Sequence, residues 1–366
     1  MKKDIIFSPI TLKNIDLKNR IAMAPMTRSR SIGDDVITPL AKDYYGQRAS
    51  AGLIITEGSP ISKVGRGYSF TPGIYTQEQI DGWKTVTDEV HKKGGKIFIQ
   101  LWHVGRRSHS NISGTQPVAP SAIKEADKVW GPLGDGTYGM IETEAPKEMS
   151  IEEIKQTQQD FVQAAKNAIE AGFDGVELHG AHGYLLDSFM RSHSNKRTDE
   201  YGGSVQNRMR MTLETVEAVA NAIGAEKTAI RISPFVAEGS ANHDSEMIDL
   251  SLELIQALDQ FGLGYIHFSE NISNYKEVDL DYRKKVRSIY HHPIMVAGKL
   301  TQEIAEDLLA KELVDLVAFG QPFITNPDLV ERMQNNWPLT PVDYANHNTF
   351  YGGGAEGYTD YATYQK

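Results

Sequence analysis

The 366-residue sequence contains no cysteine. That excludes disulfides, thiolate catalysis, cysteine-ligated zinc and iron–sulfur clusters, and it points to an intracellular, cytoplasmic setting. Long apolar runs are also missing. No stretch approaches the ~18 residues of a membrane span, and the opening residues (MKKDIIFSPITLKNIDLKNR) lack the apolar core of a signal peptide. Positive charge is scarce: 38 Lys and Arg stand against 48 Asp and Glu, a net charge of −10. Neither nucleic acid nor an anionic membrane surface is therefore an expected partner, because both demand positive fields. The remaining composition, 40% hydrophobic and 23% charged, is ordinary for a soluble protein. The chain is long enough to bury most of its unfolded surface without covalent staples.

What is present is a repeated unit: a short β-branched run, a polar loop, then an amphipathic helix. The runs begin at Arg20 (RIAMAP), Leu53 (LIITEG), Lys96 (KIFIQLW), Gly175 (GVELHG), Thr228 (TAIRISP), Tyr265 (YIHFSE), His292 (HPIMVAG) and Leu316 (LVAFG). Near-continuous apolar runs of this length predict strands buried on both faces of a parallel sheet. Helix starts lie between them. Thr38-Pro39 has the cap-then-proline order. Thr76 with Gln79, and Ser150 with Glu153, fit capping boxes, with Met149 and Ile154 spaced as a hydrophobic staple. Gly172 is the expected end of that third helix, and Asn326-Pro327 the expected start of the last.

Eight such units predict a closed (β/α)8 TIM barrel, an α/β fold, as a single domain over residues 1–366. A doubly wound open sheet is the competitor, but no Gly-rich fingerprint follows the first strand. Residues 103–149, rich in Ser, Gly and Pro, separate the third strand from its helix and read as a capping insertion. The Gly- and Tyr-rich tail beyond Trp337 is expected to pack over the barrel. Residues 188–203 read as a structured loop with ion pairs, and His291-His292 as structural.

In this fold, sites form at the C-terminal ends of the strands. Those ends carry Pro25-Met26-Thr27, Thr56-Glu57-Gly58, Gln100-Leu101-Trp102, His179 with His182 and Tyr184, Arg231, Ser269-Glu270, Gly298-Lys299 and Gly320-Gln321. Glycines after strands seven and eight suit a phosphate held by backbone N–H groups. The histidine pair has three readings: metal ligands, structural residues in a polar corner, or two donors gripping an anionic or carbonyl oxygen. No metal motif such as HExxH accompanies it. In the third reading Tyr184, a phenol protonated at pH 7, is available as an acid toward a strong base such as an enolate.

Seven stretches in order, residues 23–30 (MAPMTRSR), 54–58 (IITEG), 66–75 (RGYSFTPGIY), 98–106 (FIQLWHVGR), 173–186 (FDGVELHGAHGYLL), 195–204 (NKRTDEYGGS) and 319–329 (FGQPFITNPDL), resemble the old yellow enzyme family of FMN-dependent ene-reductases. The resemblance spans nearly the whole chain. It implies non-covalent FMN at the barrel mouth, reduced by NADH or NADPH. Hydride would then pass from flavin N5 to the β-carbon of an electrophilic alkene, an α,β-unsaturated carbonyl or nitro compound. By the same resemblance His179 and His182 bind the substrate oxygen and Tyr184 gives the proton. Thr27 sits near flavin O4, Gln100 at the pyrimidine edge and Arg231 near N1 and O2. Pro25, Gly58, Gly298, Lys299, Gly320 and Gln321 complete the cofactor-binding set, and Tyr68, Trp102 and Tyr351 line the substrate cavity. No metal is implied, and the chain is expected as a monomer or homo-oligomer. One departure stands out: the family usually has Arg after the last glycine, where this chain has Gln321. The rival reading is a flavin-free barrel acting on a phosphorylated metabolite, with the histidine pair as acid and base.

Overall fold

The structure, a computed structural model, describes residues 4–235, 246–270, 278–344 and 349–365. Eight parallel strands close into a barrel in chain order: β1 (Ile21–Met23), β2 (Leu53–Pro60), β3 (Ile97–Trp102), β4 (Gly175–Gly180), β5 (Thr228–Ile232), β6 (Tyr265–Ser269), β7 (Ile294–Ala297) and β8 (Leu316–Phe319). The helices that alternate with them are α1 (Leu40–Gln47), α2 (Gln77–Lys92), α3 (Ile151–Glu170), α4 (Val205–Ile223), α5 (Met247–Asp259), α6 (Leu280–Ile289), α7 (Gln302–Ala310) and α8 (Leu329–Asn335). The (β/α)8 architecture expected from the sequence is the one observed.

Alternation along the strands divides two cores. Ile54, Ile99, Val176, Leu178, Ile230, Ile266 and Val317 point outward and pack under the helices. Ala22, Leu53, Phe98, Ala229, Tyr265, Met295 and Leu316 point inward and fill the barrel. An N-terminal hairpin, Ile10–Leu12 with Ile15–Leu17, adds Leu12, Ile15 and Leu17 to that inner cluster. It was not anticipated from the sequence.

The helix ends follow their local chemistry. Thr76 Oγ1 accepts from Gln79 N at 3.3 Å, and Gln79 Oε1 accepts from Thr76 N at 3.2 Å. Ser150 and Glu153 form the same reciprocal box, with Met149 and Ile154 both buried. Gly172, at φ +87°, turns the chain just past α3. The last helix is present but starts slightly later than expected: α8 begins at Leu329, with Asp328 at its N-cap, rather than at Asn326-Pro327. Asn326 instead closes a short helix, Pro322–Thr325. Its side chain donates to Pro322 O and Thr340 O, and accepts from Thr340 N.

The insertion after β3 has structure of its own. Lys128–Pro132 pairs antiparallel with Tyr138–Glu142, and Val118–Ala119 pairs parallel with Lys147–Glu148. Ser69 N donates to Trp130 O at 3.0 Å, which ties the hairpin to the loop after β2. The tail is tied to the loop after β1. Arg28 donates to Phe350 O and Gly357 O, and Arg30 to Thr349 O and Gly354 O. Tyr358 is fully buried and stacks on Tyr44, with ring centroids 4.1 Å apart.

β2 carries a bulge. Ile55 pairs with Phe98 but Gly58 pairs with Gln100, so β2 spends one residue more than β3 over that stretch. The bulge brings Gly58 against the Trp102 ring, where a Cβ would lie 2.7 Å from Trp102 Cε3. Gly58→Ala is therefore expected to push Trp102 from its position and to lower stability by about 1–3 kcal/mol. Chemical denaturation checks this; an unchanged midpoint refutes the packing argument.

Candidate active site

The polar inward positions cluster toward the C-terminal ends of the strands. Gln100 pairs with Glu177 across β3 and β4. Arg231 pairs with His179 on one side and His267 on the other. Glu177 is the hub of this floor. Its Oε1 accepts from Gln100 Nε2 at 2.8 Å, and its Oε2 accepts from His267 Nδ1 at 2.8 Å and from Tyr265 OH at 3.1 Å. Burial alone would raise its pKa, yet His267, Arg231 and Gln100 together hold it below the usual carboxylate value. Burial drives His267 the other way, toward the neutral form, so its contact with Glu177 is a hydrogen bond rather than an ion pair.

Above the floor, Pro25, Thr27, Gly58, Gln100, Trp102, His179, His182, Tyr184 and Arg231 line one cavity of about 170 Å³. Residues drawn from five separate strand ends thus meet at one place. The rings of His179 and His182 are 5.3 Å apart, and Tyr184 lies 4.9 Å from both His179 and Trp102. Tyr68 stacks on Trp102 at 5.6 Å.

His182 reaches this position through a strained turn, at φ +60°. Its N–H donates to Ser233 Oγ at 2.9 Å. The next N–H, of Gly183, donates to Asp187 Oδ2 at 2.7 Å, and Arg191 bridges Asp187 to Ser233 O. Sequence reading missed Asp187, Arg191 and Ser233 as supports of the turn. No local pattern marks them, because they act from the next helix and the next strand.

Electrostatics set the proton states. Burial, then the nearby Arg231 cation, pushes both His179 and His182 well below the ordinary imidazole value. Burial pushes the Tyr184 phenol up, although Arg107 and a hydrogen bond with Tyr68 pull the other way. Arg107, whose guanidinium lies 5.6 Å from the Tyr184 ring centre, was also missed from the sequence.

The sequence model of the NADH:flavin oxidoreductase / NADH oxidase family matches residues 5–340. The chain belongs to this family, the old yellow enzymes. It is 40% identical to 12-oxophytodienoate reductase 7 of Oryza sativa subsp. japonica, covering 98% of this chain and 95% of that protein. Among solved structures, morphinone reductase in complex with tetrahydroNAD superposes with a TM-score of 0.93 at 43% identity, covering 98% of both chains. The old yellow enzyme homologue from Zymomonas mobilis superposes at 0.92 with 38% identity, covering 98% of this chain and 99% of that one. The present chain is an FMN-dependent oxidoreductase that uses NAD(P)H and reduces activated carbon–carbon double bonds. The flavin-free alternative is not favoured.

The residues present fit FMN. Arg231 Nε, His179 Nδ1 and Trp102 Nε1 are buried around the cavity without a hydrogen-bond partner among the described residues, which suits a planar ligand with a polar edge. A Cβ at Gly320 would meet nothing closer than Met26 at 3.4 Å, so space remains over that backbone for another group. Gly298 and Lys299 line a second cavity of about 290 Å³ with Glu270, Arg283 and Lys311. Gly320 and Gln321 line neither cavity; Gln321 Oε1 accepts from Tyr344 OH at 2.6 Å.

Two sequence expectations need correction. Tyr351 does not line the cavity; it is 59% exposed, because the tail is held through its backbone carbonyls and this ring is left in solvent. Glu57, read as a polar residue at the mouth, is turned by the bulge to accept from Arg28 N and Ser29 N instead. Among the described residues no helix is long and apolar enough to cross a membrane.

The proton states give a direct expectation. With their pKa values depressed, His179 and His182 gain a proton only below the ordinary 6.5, and Tyr184 loses its proton only above 10. Side-chain NMR of the holoenzyme should show neither imidazole titrating between pH 6.5 and 9. A titration midpoint for either inside that window contradicts the assignment.

Proposed function

We propose that His179 and His182 bind the oxygen of an α,β-unsaturated carbonyl or nitro compound, and that Tyr184 delivers a proton to its α-carbon. The observation that carries this reading is the convergence of two neutral imidazoles and one protonated phenol on a single cavity floored by a buried cation. FMN, when bound, supplies the hydride that reaches the substrate β-carbon.

The protein's own part is orientation and electrostatics. Each neutral imidazole has one N–H to give, and two such donors aimed at one oxygen stabilise the negative charge that develops there. Withdrawing density toward that oxygen makes the β-carbon electrophilic. The enolate-like product is a strong base, so a phenol with a raised pKa can still protonate it. Arg107 favours the resulting phenolate and Tyr68 hydrogen-bonds to it, which offsets part of the cost of forming charge in a buried site. Trp102 and Tyr68 form an aromatic wall beside the substrate position. The names of two of the relatives, 12-oxophytodienoate reductase and morphinone reductase, are those of reductases of small organic molecules and support a small electrophilic alkene as the substrate.

On the cofactor side, Thr27, Pro25, Gly58, Gln100 and Arg231 line the same cavity. Glu177 occupies the Gln100 amide N–H, leaving Gln100 Oε1 to accept from the pyrimidine edge, and Arg231 is the cation for the reduced ring. Gly298, Lys299, Gly320 and Gln321 are the phosphate end.

Tyr184→Phe should keep FMN uptake and flavin reduction by NADPH while slowing enone reduction by about 10²-fold. Stopped-flow measurement of the two half-reactions separates these steps; unchanged enone turnover removes Tyr184 from the acid role. Gln321→Arg should tighten FMN retention about tenfold, because a charge-assisted forked contact replaces a neutral one. Flavin release on dilution, read by fluorescence, tests it, and equal release rates count against a phosphate role for residue 321.

A further inference from the structure

The two histidines are not held alike. His179 Nδ1 is buried without a partner among the described residues, whereas His182 Nε2 lies 2.8 Å from Ser269 Oγ, at the C-terminal end of β6. Ser269 Oγ also receives Arg231 Nη2 at 3.2 Å. A guanidinium can only donate, so Ser269 Oγ is an acceptor toward Arg231. The serine hydroxyl has a single proton. Ser269 is 1% exposed, and among the described residues the only recorded acceptor for that proton is His182 Nε2.

If His182 instead carried its proton on Nε2, the hydroxyl would take two donors and its own O–H would be stranded in a buried site. An unsatisfied buried donor is costly compared with the net value of a hydrogen bond. The relay therefore runs from Arg231 to Ser269 to His182 Nε2. A neutral imidazole that accepts at Nε2 must carry its proton at Nδ1.

We propose that Ser269 is a positioning residue that fixes His182 in its Nδ1–H tautomer, so that Nδ1 is the donor presented to the substrate oxygen. The proposal rests on the donor-pair reading given above. In the opposite tautomer His182 would offer a lone pair to the oxygen and repel the charge it is meant to stabilise. Arg231 takes part twice: its field keeps the imidazole neutral, and its Nη2 orients the hydroxyl that selects the tautomer.

The test begins with the FMN-loaded natural protein. Long-range ¹H–¹⁵N correlation of histidine-labelled holoenzyme, with His182 assigned by loss of its signals in His182→Asn, should show a protonated Nδ1 and an unprotonated Nε2. A protonated Nε2 overturns the proposal whatever any variant does. Ser269→Ala should then weaken binding of para-substituted phenols, whose oxygen stands in for the enolate, by about tenfold. It should also yield mixed-tautomer ¹⁵N shifts. Ser269→Thr, which keeps the hydroxyl, should restore both. Phenol affinity unchanged in Ser269→Ala, with intact flavin absorbance, sinks the positioning role. Phenol affinity unchanged in His182→Asn and His182→Ala, with the Nδ1–H tautomer observed, instead locates the failure in the donor-pair reading and takes the proposal with it.

Discussion

A single buried carboxylate allows this barrel to hold a cation at its centre. Arg231 lies inside the barrel, where an unpaired charge costs several kcal/mol. Glu177, on the neighbouring strand, supplies the opposite charge and meets its own desolvation with three hydrogen bonds. The rest of the site is referenced to this pair. Gln100 and the His267 Nδ1–H are oriented by Glu177, while burial, reinforced by the Arg231 field, keeps His179 and His182 uncharged. Burial and the Arg231 cation thus act in the same direction on the two imidazoles, and the Glu177 carboxylate offsets part of the cost of burying that cation.

Much of this was legible in the sequence, for one physical reason. Strands buried on both faces appear as continuous apolar runs, so a polar residue within such a run is conspicuous. Gln100, His179 and Arg231 stood out in this way, and the barrel rule placed them at one mouth. The two capping boxes were legible because their chemistry is complete within four residues. Supports that act across long separations were not. Ser233 holds the His182 turn from 51 residues away, and nothing near either residue announces it. Glu57 misled for a related reason: side-chain alternation assigns it to the mouth, and one extra residue in β2 reverses the assignment. Tyr351 misled because an aromatic tail was expected to bury its rings, whereas most of the anchoring runs through its carbonyls.

The loop after β1 links these supports. Glu57 Oε2 accepts the N–H groups of Arg28 and Ser29, the two residues that follow Thr27. The Arg28 guanidinium lies 4.9 and 5.1 Å from the centres of the stacked Tyr44 and Tyr358 rings, while Arg30 lies over Tyr358. The tail is thus bound to the same loop that brings Thr27 to the cavity wall. Its contribution to the site is indirect: it fixes the backbone on which Thr27 stands.

The bulge in β2 meets two demands at once. It turns Glu57 outward, where the carboxylate organises the loop after β1, and it brings a residue without a side chain against Trp102. Without the extra residue, strict alternation would point Glu57 and Gly58 the other way. The loop after β1 would then lose the carboxylate that accepts from Arg28 N and Ser29 N, and the Trp102 ring would lose the glycine surface it packs on. The irregularity in one strand therefore holds the Glu57 carboxylate on the loop after β1 and leaves Gly58, not Glu57, on the cavity that Arg231 lines.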